Sequence, residues 1–124
     1  MLGDKNAAVT IAVKDTKSAK KFYESTLGLK PSPTREASVL SYKSGNSTVL
    51  VYESQFAGTN KATAATWVVD DVEGVVRDLK GKGVSFEHYD FPNGTRRGDV
   101  HVMGETKAAW FKDPDGNILS VVNG

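Results

Sequence analysis

AWFKDPDGNIL, at residues 109–119, contains a strong turn signal between two apolar stretches. Its DPDG segment, residues 113–116, has proline at the second turn position, where a fixed φ is favourable, and glycine where a left-handed residue is needed. Aromatic and aliphatic residues stand on both sides of this turn. The pattern predicts a β-hairpin formed by residues 107–112 and 117–122.

Outward from this hairpin, the chain contains an internal repeat with a period of about 56 residues. The first copy begins with a strand at residues 8–13, followed by the helix cap Asp15 and an apolar helical stripe that ends at Gly28. The second copy has a strand at 65–69, a cap at 70–71 and a stripe at 72–79. The repeat predicts a β-α-β-β-β order in each copy, with further strands at 39–43, 48–53, 84–89, 107–112 and 117–122.

The composition predicts one globular domain without a strongly charged partner. Of the 124 residues, 39% are hydrophobic and the formal net charge is +1, so nothing favours binding to nucleic acid or to an anionic membrane. The absence of cysteine excludes disulfides and thiolate metal sites. No apolar run reaches the roughly 20 residues of a membrane span, and the first residues show no secretory signal pattern. We therefore expect a cytoplasmic protein.

Two stretches of the chain resemble the glyoxalase/bleomycin resistance/extradiol dioxygenase (vicinal oxygen chelate) superfamily. KFYESTLGL, at residues 21–29, resembles its FY…LG helix end, and residues 109–119 resemble its F-x-DPDGN hairpin. The resemblance covers nearly the whole chain and implies an α+β fold, in which two tandem βαβββ modules form curled mixed sheets around a cavity. It implies a single such domain over residues 1–124, with modules at about 7–53 and 64–123 and a linker at 54–63.

The enzymes of this superfamily hold a divalent metal with His and Glu side chains from four strands. The resemblance places the four ligand positions at Ala8, Val51, Ala64 and Ser120. Aliphatic side chains cannot coordinate a metal, and a lone serine is a poor ligand. A shift of one residue brings in no better donor, and the nearest carboxylate is Glu53, two residues along the strand. We predict that the chain has no metal site at these positions and no cofactor.

The two histidines, His88 and His101, both flank a long segment at residues 90–104. Three glycines in this segment predict a mobile loop, and the histidines are expected to be exposed to solvent. A metal held by these histidines with Asp99 and Glu105 stays an alternative, although their spacing matches no established ligand pattern.

Alternation of side chains along the strands predicts which residues face the cavity. The β-branched row that begins with Val9 and Ile11 has to face the helices, so Thr10 faces the cavity, and Trp67 is interpreted as part of the core. In the hairpin, Trp110 lies opposite Ser120, at a cavity position.

A two-residue turn at 45–46 places Tyr42 on the same side as Val51, which the resemblance assigns to the cavity. The predicted ligand-binding residues are Thr10, Tyr42, Val51, Thr66, His101, Trp110 and Ser120. The alternative is that Tyr42 and Trp110 only fill the interior.

The sequence favours a metal-free protein that binds a small aromatic metabolite or antibiotic, with no catalytic residues. The resemblance implies a drug-binding branch that forms homodimers with ligand clefts, and its bleomycin-binding members are acidic. This nearly neutral chain fits an uncharged aromatic ligand better. The alternatives are a glyoxalase- or dioxygenase-like metalloenzyme with an atypical metal site, and a module whose partner is another protein.

Overall fold

The computed structural model describes residues 1–34 and 36–124 and consists of strands with two helical segments. The strands are β1 (Val9–Val13), β2 (Lys30–Ser32), β3 (Val39–Ser44), β4 (Ser47–Glu53), β5 (Thr63–Val69), β6 (Phe86–Glu87), β7 (Thr95–Arg97), β8 (Val100–Met103), β9 (Thr106–Lys112) and β10 (Ile118–Asn123). Helix α1 (Thr16–Lys20) continues into a π-helical segment (Lys21–Thr26), and α2 (Val72–Gly81) is the second α-helix. None of the helices in the described ranges is long and apolar enough to cross a membrane.

The strands form two mixed sheets, one from each half of the chain. The first sheet has the order β1-β4-β3-β2, and the second has the order β5-β10-β9-β8-β7, with β6 also paired to β9. The pairs β1–β4 and β5–β10 are parallel, and the other pairs are antiparallel. This topology confirms the predicted α+β fold with two tandem βαβββ modules, and the two sheets do not close into a barrel.

Both helices begin at the predicted caps. The Asp15 carboxylate accepts a hydrogen bond from the Lys17 amide, and the Asp71 carboxylate accepts one from the Gly74 amide, which satisfies amides that the first turn leaves without partners. The first helical segment ends at Gly28, whose φ of +74° is open to glycine without steric cost.

The prediction of a loop throughout residues 90–104 is wrong, because this segment contains the hairpin of β7 and β8. The mobility expected of this segment stays a prediction. Gly98, with a φ of +61°, lies in the turn of this hairpin, and β8 continues the sheet beside β9. The three residues of β7 are all polar and exposed, so they show no alternation of apolar and polar side chains. The edge strand β2 was missed for a similar reason, since it is short and contains Pro31.

Each sheet has a helix-covered face and an opposite, open face. Side chains from the two helix-covered faces form one core, with Ile11 and Val51 from the first module and Phe111 and Leu119 from the second. Trp67 packs against this core, as predicted, and its Nε1 donates a hydrogen bond of 2.8 Å to Ser44 Oγ. Along each strand, the side chains between these core residues point to the open face.

A buried hydrogen-bond network joins the two modules. The Tyr23 hydroxyl donates to Asp113 Oδ2 over 2.7 Å, and Asn117 Nδ2 donates to the same oxygen and to the Ala12 carbonyl oxygen. Burial, reinforced by the negative charge of Asp113, raises the pKa of Tyr23 far above its usual value, so the phenol stays protonated and donates. The helical segment, the strand β1 and the 113–116 turn are therefore held in one arrangement.

The network predicts unequal effects when two buried tyrosines lose their hydroxyl groups. Tyr23→Phe removes a donor to a buried carboxylate and is expected to lower the free energy of unfolding by about 2 kcal/mol. Tyr42→Phe is the matched control, because its hydroxyl donates to the half-buried Glu24, which water can reach; we expect a loss of about 1 kcal/mol. Urea denaturation measures both values, and an equal or smaller loss for Tyr23→Phe would contradict the assigned role.

Candidate functional site

The open face of the second module carries a row of three paired residues. Trp110 on β9 lies opposite Ser120 on β10, which lies beside Thr66 on β5. The Ser120 and Thr66 hydroxyls are 2.7 Å apart and share a hydrogen bond. Trp110 Nε1 donates over 3.1 Å to Thr63 Oγ1, so the indole is fixed across the beginning of β5. The structure thus brings together three of the residues that the sequence singled out.

His101 belongs to the same face, because it lies opposite Ala108, two residues from Trp110. The expectation of an exposed histidine is wrong here, since His101 is 2% exposed. Its ring meets the Trp110 ring edge to face, with 5.0 Å between the ring centroids. His88, in contrast, is exposed as expected, and its Nε2 lies 2.7 Å from Asp99 Oδ1.

Residues 88–94 fold over the open face and cover His101. The Tyr89 ring lies 5.5 Å from the Trp110 ring, and the Phe91 ring lies 5.4 Å from it; both rings also contact His101. We call Tyr89, Phe91, His101 and Trp110 the aromatic cluster. The sequence analysis did not predict Tyr89 and Phe91 as site residues. A signal was present, because two aromatic residues within a polar, proline-containing loop indicate that the loop packs against another surface.

The aromatic cluster contains one polar atom without a partner. His101 Nε2 accepts a hydrogen bond of 2.9 Å from the Tyr89 amide, so in the neutral imidazole the proton is on Nδ1. Nδ1 is buried and has no hydrogen-bond partner within residues 1–34 and 36–124. A buried donor without a partner costs about 1–3 kcal/mol. His101 therefore offers a donor to an acceptor atom that enters the cluster.

Asp99 attaches the start of this loop to α2. Its Oδ2 accepts a hydrogen bond of 2.7 Å from Lys80 Nζ, and its Oδ1 lies 2.7 Å from His88 Nε2. The hydrogen bond from Lys80, and then that from His88, lower the pKa of Asp99 below its usual value. Because His88 directly precedes Tyr89, this carboxylate helps to hold the loop against the open face.

The placement of Tyr42 and Val51 on the cavity side is wrong. Val51 lies beside Ile11, and Tyr42 lies opposite Val49, so both residues share the helix-covered face. Tyr42 is 1% exposed and stacks on Tyr23 in the core, as the alternative interpretation held. The pattern could not decide the face, because β4 has apolar residues on both of its sides.

Thr10 lies on the open face of the first sheet, apart from the aromatic cluster. It is exposed, lies beside Leu50, and its hydroxyl donates only to the Ala8 carbonyl oxygen among the described residues. Ala12 and Tyr52 form the next pair on this face. Contact of Thr10 with a ligand stays a prediction.

The side chains at the family's metal positions do not fit a divalent ion. Ala8 and Ala64 have no donor atom, and the Ser120 hydroxyl is already bonded to Thr66. Among the residues that the structure describes, no three His, Asp or Glu side chains are close enough to hold a metal. The candidate site is consequently a surface of rings and hydroxyls.

The second metal position, predicted at Val51, gives the same result once the observed strand register is used. Since Val51 points to the core, Leu50 and Tyr52 occupy the open face of β4, and neither suits a divalent metal. Glu53, the nearest carboxylate, accepts hydrogen bonds of 3.1 Å from the amide and the hydroxyl of Thr16. This carboxylate therefore stabilises the first residue of α1.

Comparison with known proteins gives a family match and several structures of the same fold. Residues 6–121 match the model of the Glyoxalase/Bleomycin resistance protein/Dioxygenase superfamily. Similar structures include a glyoxalase family protein from Enterococcus faecalis (20% identity, TM-score 0.75, 99% of this chain and 100% of that chain). Others are lactoylglutathione lyase from Agrobacterium tumefaciens (18%, 0.71, 98% and 94%) and the fosfomycin resistance protein FosX from Listeria monocytogenes (16%, 0.66, 95% and 89%). These identities show the fold alone, and no curated protein matches the chain.

The lowered pKa of Asp99 predicts a specific dependence of stability on pH. A carboxyl group whose folded pKa is lowered stabilises the protein above its unfolded pKa, about 3.9, and this contribution is lost as the pH falls through the folded value. Asp99→Asn is expected to lower stability at pH 7 by up to about 1 kcal/mol, with a difference from wild type that shrinks below about pH 4.

Thermal unfolding between pH 2 and pH 7 measures this difference. Asp90→Asn is the matched control, because Asp90 is an exposed carboxylate of the 88–94 loop that has no ion pair among the described residues. A difference for Asp99→Asn that stays constant down to pH 2 would show that the carboxylate does not stabilise the loop through its charge.

Proposed function

We propose that this chain, which belongs to the glyoxalase/bleomycin resistance protein/dioxygenase superfamily, is a metal-free protein that binds a flat, uncharged aromatic molecule on its open face. The observation that carries this proposal is the buried His101 Nδ1, which lacks a partner in the described chain inside a cluster of aromatic rings. Aromatic rings supply stacking surfaces, and one convergent polar group fixes the orientation of a ligand. An aromatic metabolite or antibiotic with a carbonyl or ring nitrogen acceptor has this chemistry.

In this proposal the ligand replaces Phe91. The ring centroids in the cluster are 5.0–6.4 Å apart, which leaves no space for another ring between them. Phe91 is the member most exposed to solvent, at 36%, and it lies near the middle of the 88–94 loop. A ligand stacks on Trp110 in place of Phe91 and accepts a hydrogen bond from His101 Nδ1, while Asp99 keeps the start of the loop in place.

The charge near the site favours a neutral ligand. Glu87, which lies opposite Trp110, forms an ion pair with Lys112, and the exposed Asp90 is the carboxylate between Tyr89 and Phe91. The chain as a whole carries a formal charge of +1, so a strongly cationic drug such as bleomycin would find little compensating charge beside the aromatic cluster. We extend the proposal to a homodimer, because Val68, 70% exposed, and Tyr52 leave apolar surface on the open face. A second copy that covers them would deepen this face into a cleft, and sedimentation velocity measures the mass.

Quenching of Trp110 fluorescence tests the proposed ligand site. In the Trp67→Phe background Trp110 is the only tryptophan, and neutral naphthoquinones or anthraquinones are expected to quench it saturably. His101→Phe keeps a ring but removes the donor, so we expect about tenfold weaker binding, the equivalent of one hydrogen bond of about 1.4 kcal/mol. Phe91→Ala removes the competing ring and is expected to tighten binding severalfold.

The matched control for this titration is the protein with Trp110→Phe, in which Trp67 is the only tryptophan. Because Trp67 lies on the helix-covered face, its indole N–H resonance in this control should not move when the quinone is added, whereas the Trp110 resonance in the Trp67→Phe protein should move. Equal affinities of the wild type, His101→Phe and Phe91→Ala for the quinone would contradict the proposal.

Metal analysis distinguishes this proposal from a glyoxalase- or dioxygenase-like metalloenzyme, as lactoylglutathione lyase is among the chain's structural neighbours. Protein purified without chelators is expected to contain far less than one zinc, nickel, manganese or iron ion per chain, because the ligand positions lack donors. The variant with Ala8→His, Ala64→His and Ser120→Glu serves as the positive control and is expected to gain metal. Stoichiometric metal in the wild type would favour the metalloenzyme.

A further inference from the structure

We propose a second ligand site, separate from the open face: a pocket on the helix-covered side, between the two modules, that takes uncharged apolar molecules of about three aromatic rings. This inter-module pocket has a volume of about 460 Å³. Buried Leu79, Phe111 and Val121 of the second module line its interior, and Leu27 and Leu29 of the first module close the opposite side. The site does not depend on the ligand proposed for the open face.

The size and lining of the pocket are those of a ligand site. Pockets for small molecules have volumes of about 300–1,000 Å³, have mainly apolar linings and often lie between structural units. A dry cavity of about 150 Å³ accepts one benzene ring, so the inter-module pocket has space for about three such rings.

Trp67 forms a fixed wall of the pocket. Its Nε1 donates a hydrogen bond of 2.8 Å to Ser44 Oγ, which lies in the other module, and its ring is half-buried. The hydrogen bond orients the indole before any ligand arrives, so binding does not have to order this side chain. Trp67 and Trp110 lie on opposite faces of the second sheet, so each indole reports on a different site.

An uncharged probe tests the pocket. We expect N-phenyl-1-naphthylamine, which has three aromatic rings, to bind once per chain. On binding, the indole N–H resonance of Trp67 should move and that of Trp110 should not.

Two substitutions on neighbouring residues of β5 provide the decisive comparison. Val69→Phe places a ring in the pocket and should weaken binding of the probe at least tenfold, whereas Val68→Phe places the same ring on the open face and should not. If Val69→Phe does not fold, as judged by circular dichroism, Val75→Phe on α2 fills the same pocket and replaces it. Unchanged binding in a folded variant that fills the pocket, or a shift of the Trp110 resonance alone, would overturn the site.

Discussion

The arrangement of the two modules depends on the hydrogen bonds around the Asp113 carboxylate. The Tyr23 hydroxyl and the Asn117 side chain donate to it, and Asn117 also donates to the Ala12 carbonyl oxygen, so helix, hairpin and first strand meet at one buried point. Beside this point, Asp115 accepts a hydrogen bond from the Lys14 amide. In the low dielectric of the interior, the buried bonds to Asp113 are costly to leave unmade. The fold is therefore specified by polar contacts as well as by the apolar core around them.

This arrangement gives the second sheet two faces with different chemistry. Trp110 and Phe111 are neighbours in the chain, but Trp110 faces the aromatic cluster and Phe111 faces the core and the inter-module pocket. At the metal positions of the superfamily, this chain has alanines and a serine in place of the carboxylates and imidazoles that a divalent ion requires. Superfamily membership therefore fixes the shape of this face, whereas its chemistry follows from the side chains of this particular chain.

Local chemistry made most of the architecture predictable from the sequence. Three features are determined by residues close together in the sequence: the 113–116 turn, the cap at Asp15 and the left-handed conformation of Gly28. The register of the hairpin then determines the face of the sheet on which Trp110 lies. What failed depends on contacts distant in sequence. The face of Tyr42 was undecidable because its partner strand is apolar on both sides, and the burial of His101 depends on a loop whose packing no short pattern encodes.

The aromatic cluster suggests how selectivity can arise at a site that already contains its own rings. If a ligand ring only replaces the Phe91 ring on Trp110, the stacking lost and the stacking gained are similar, and little free energy remains for binding. His101 Nδ1 changes this balance, because Phe91 cannot accept its hydrogen bond. A ligand with an acceptor at that point gains about 1–1.5 kcal/mol that the empty protein cannot obtain. Stacking then sets the shape of molecule that enters, and one buried imidazole proton selects among molecules of that shape.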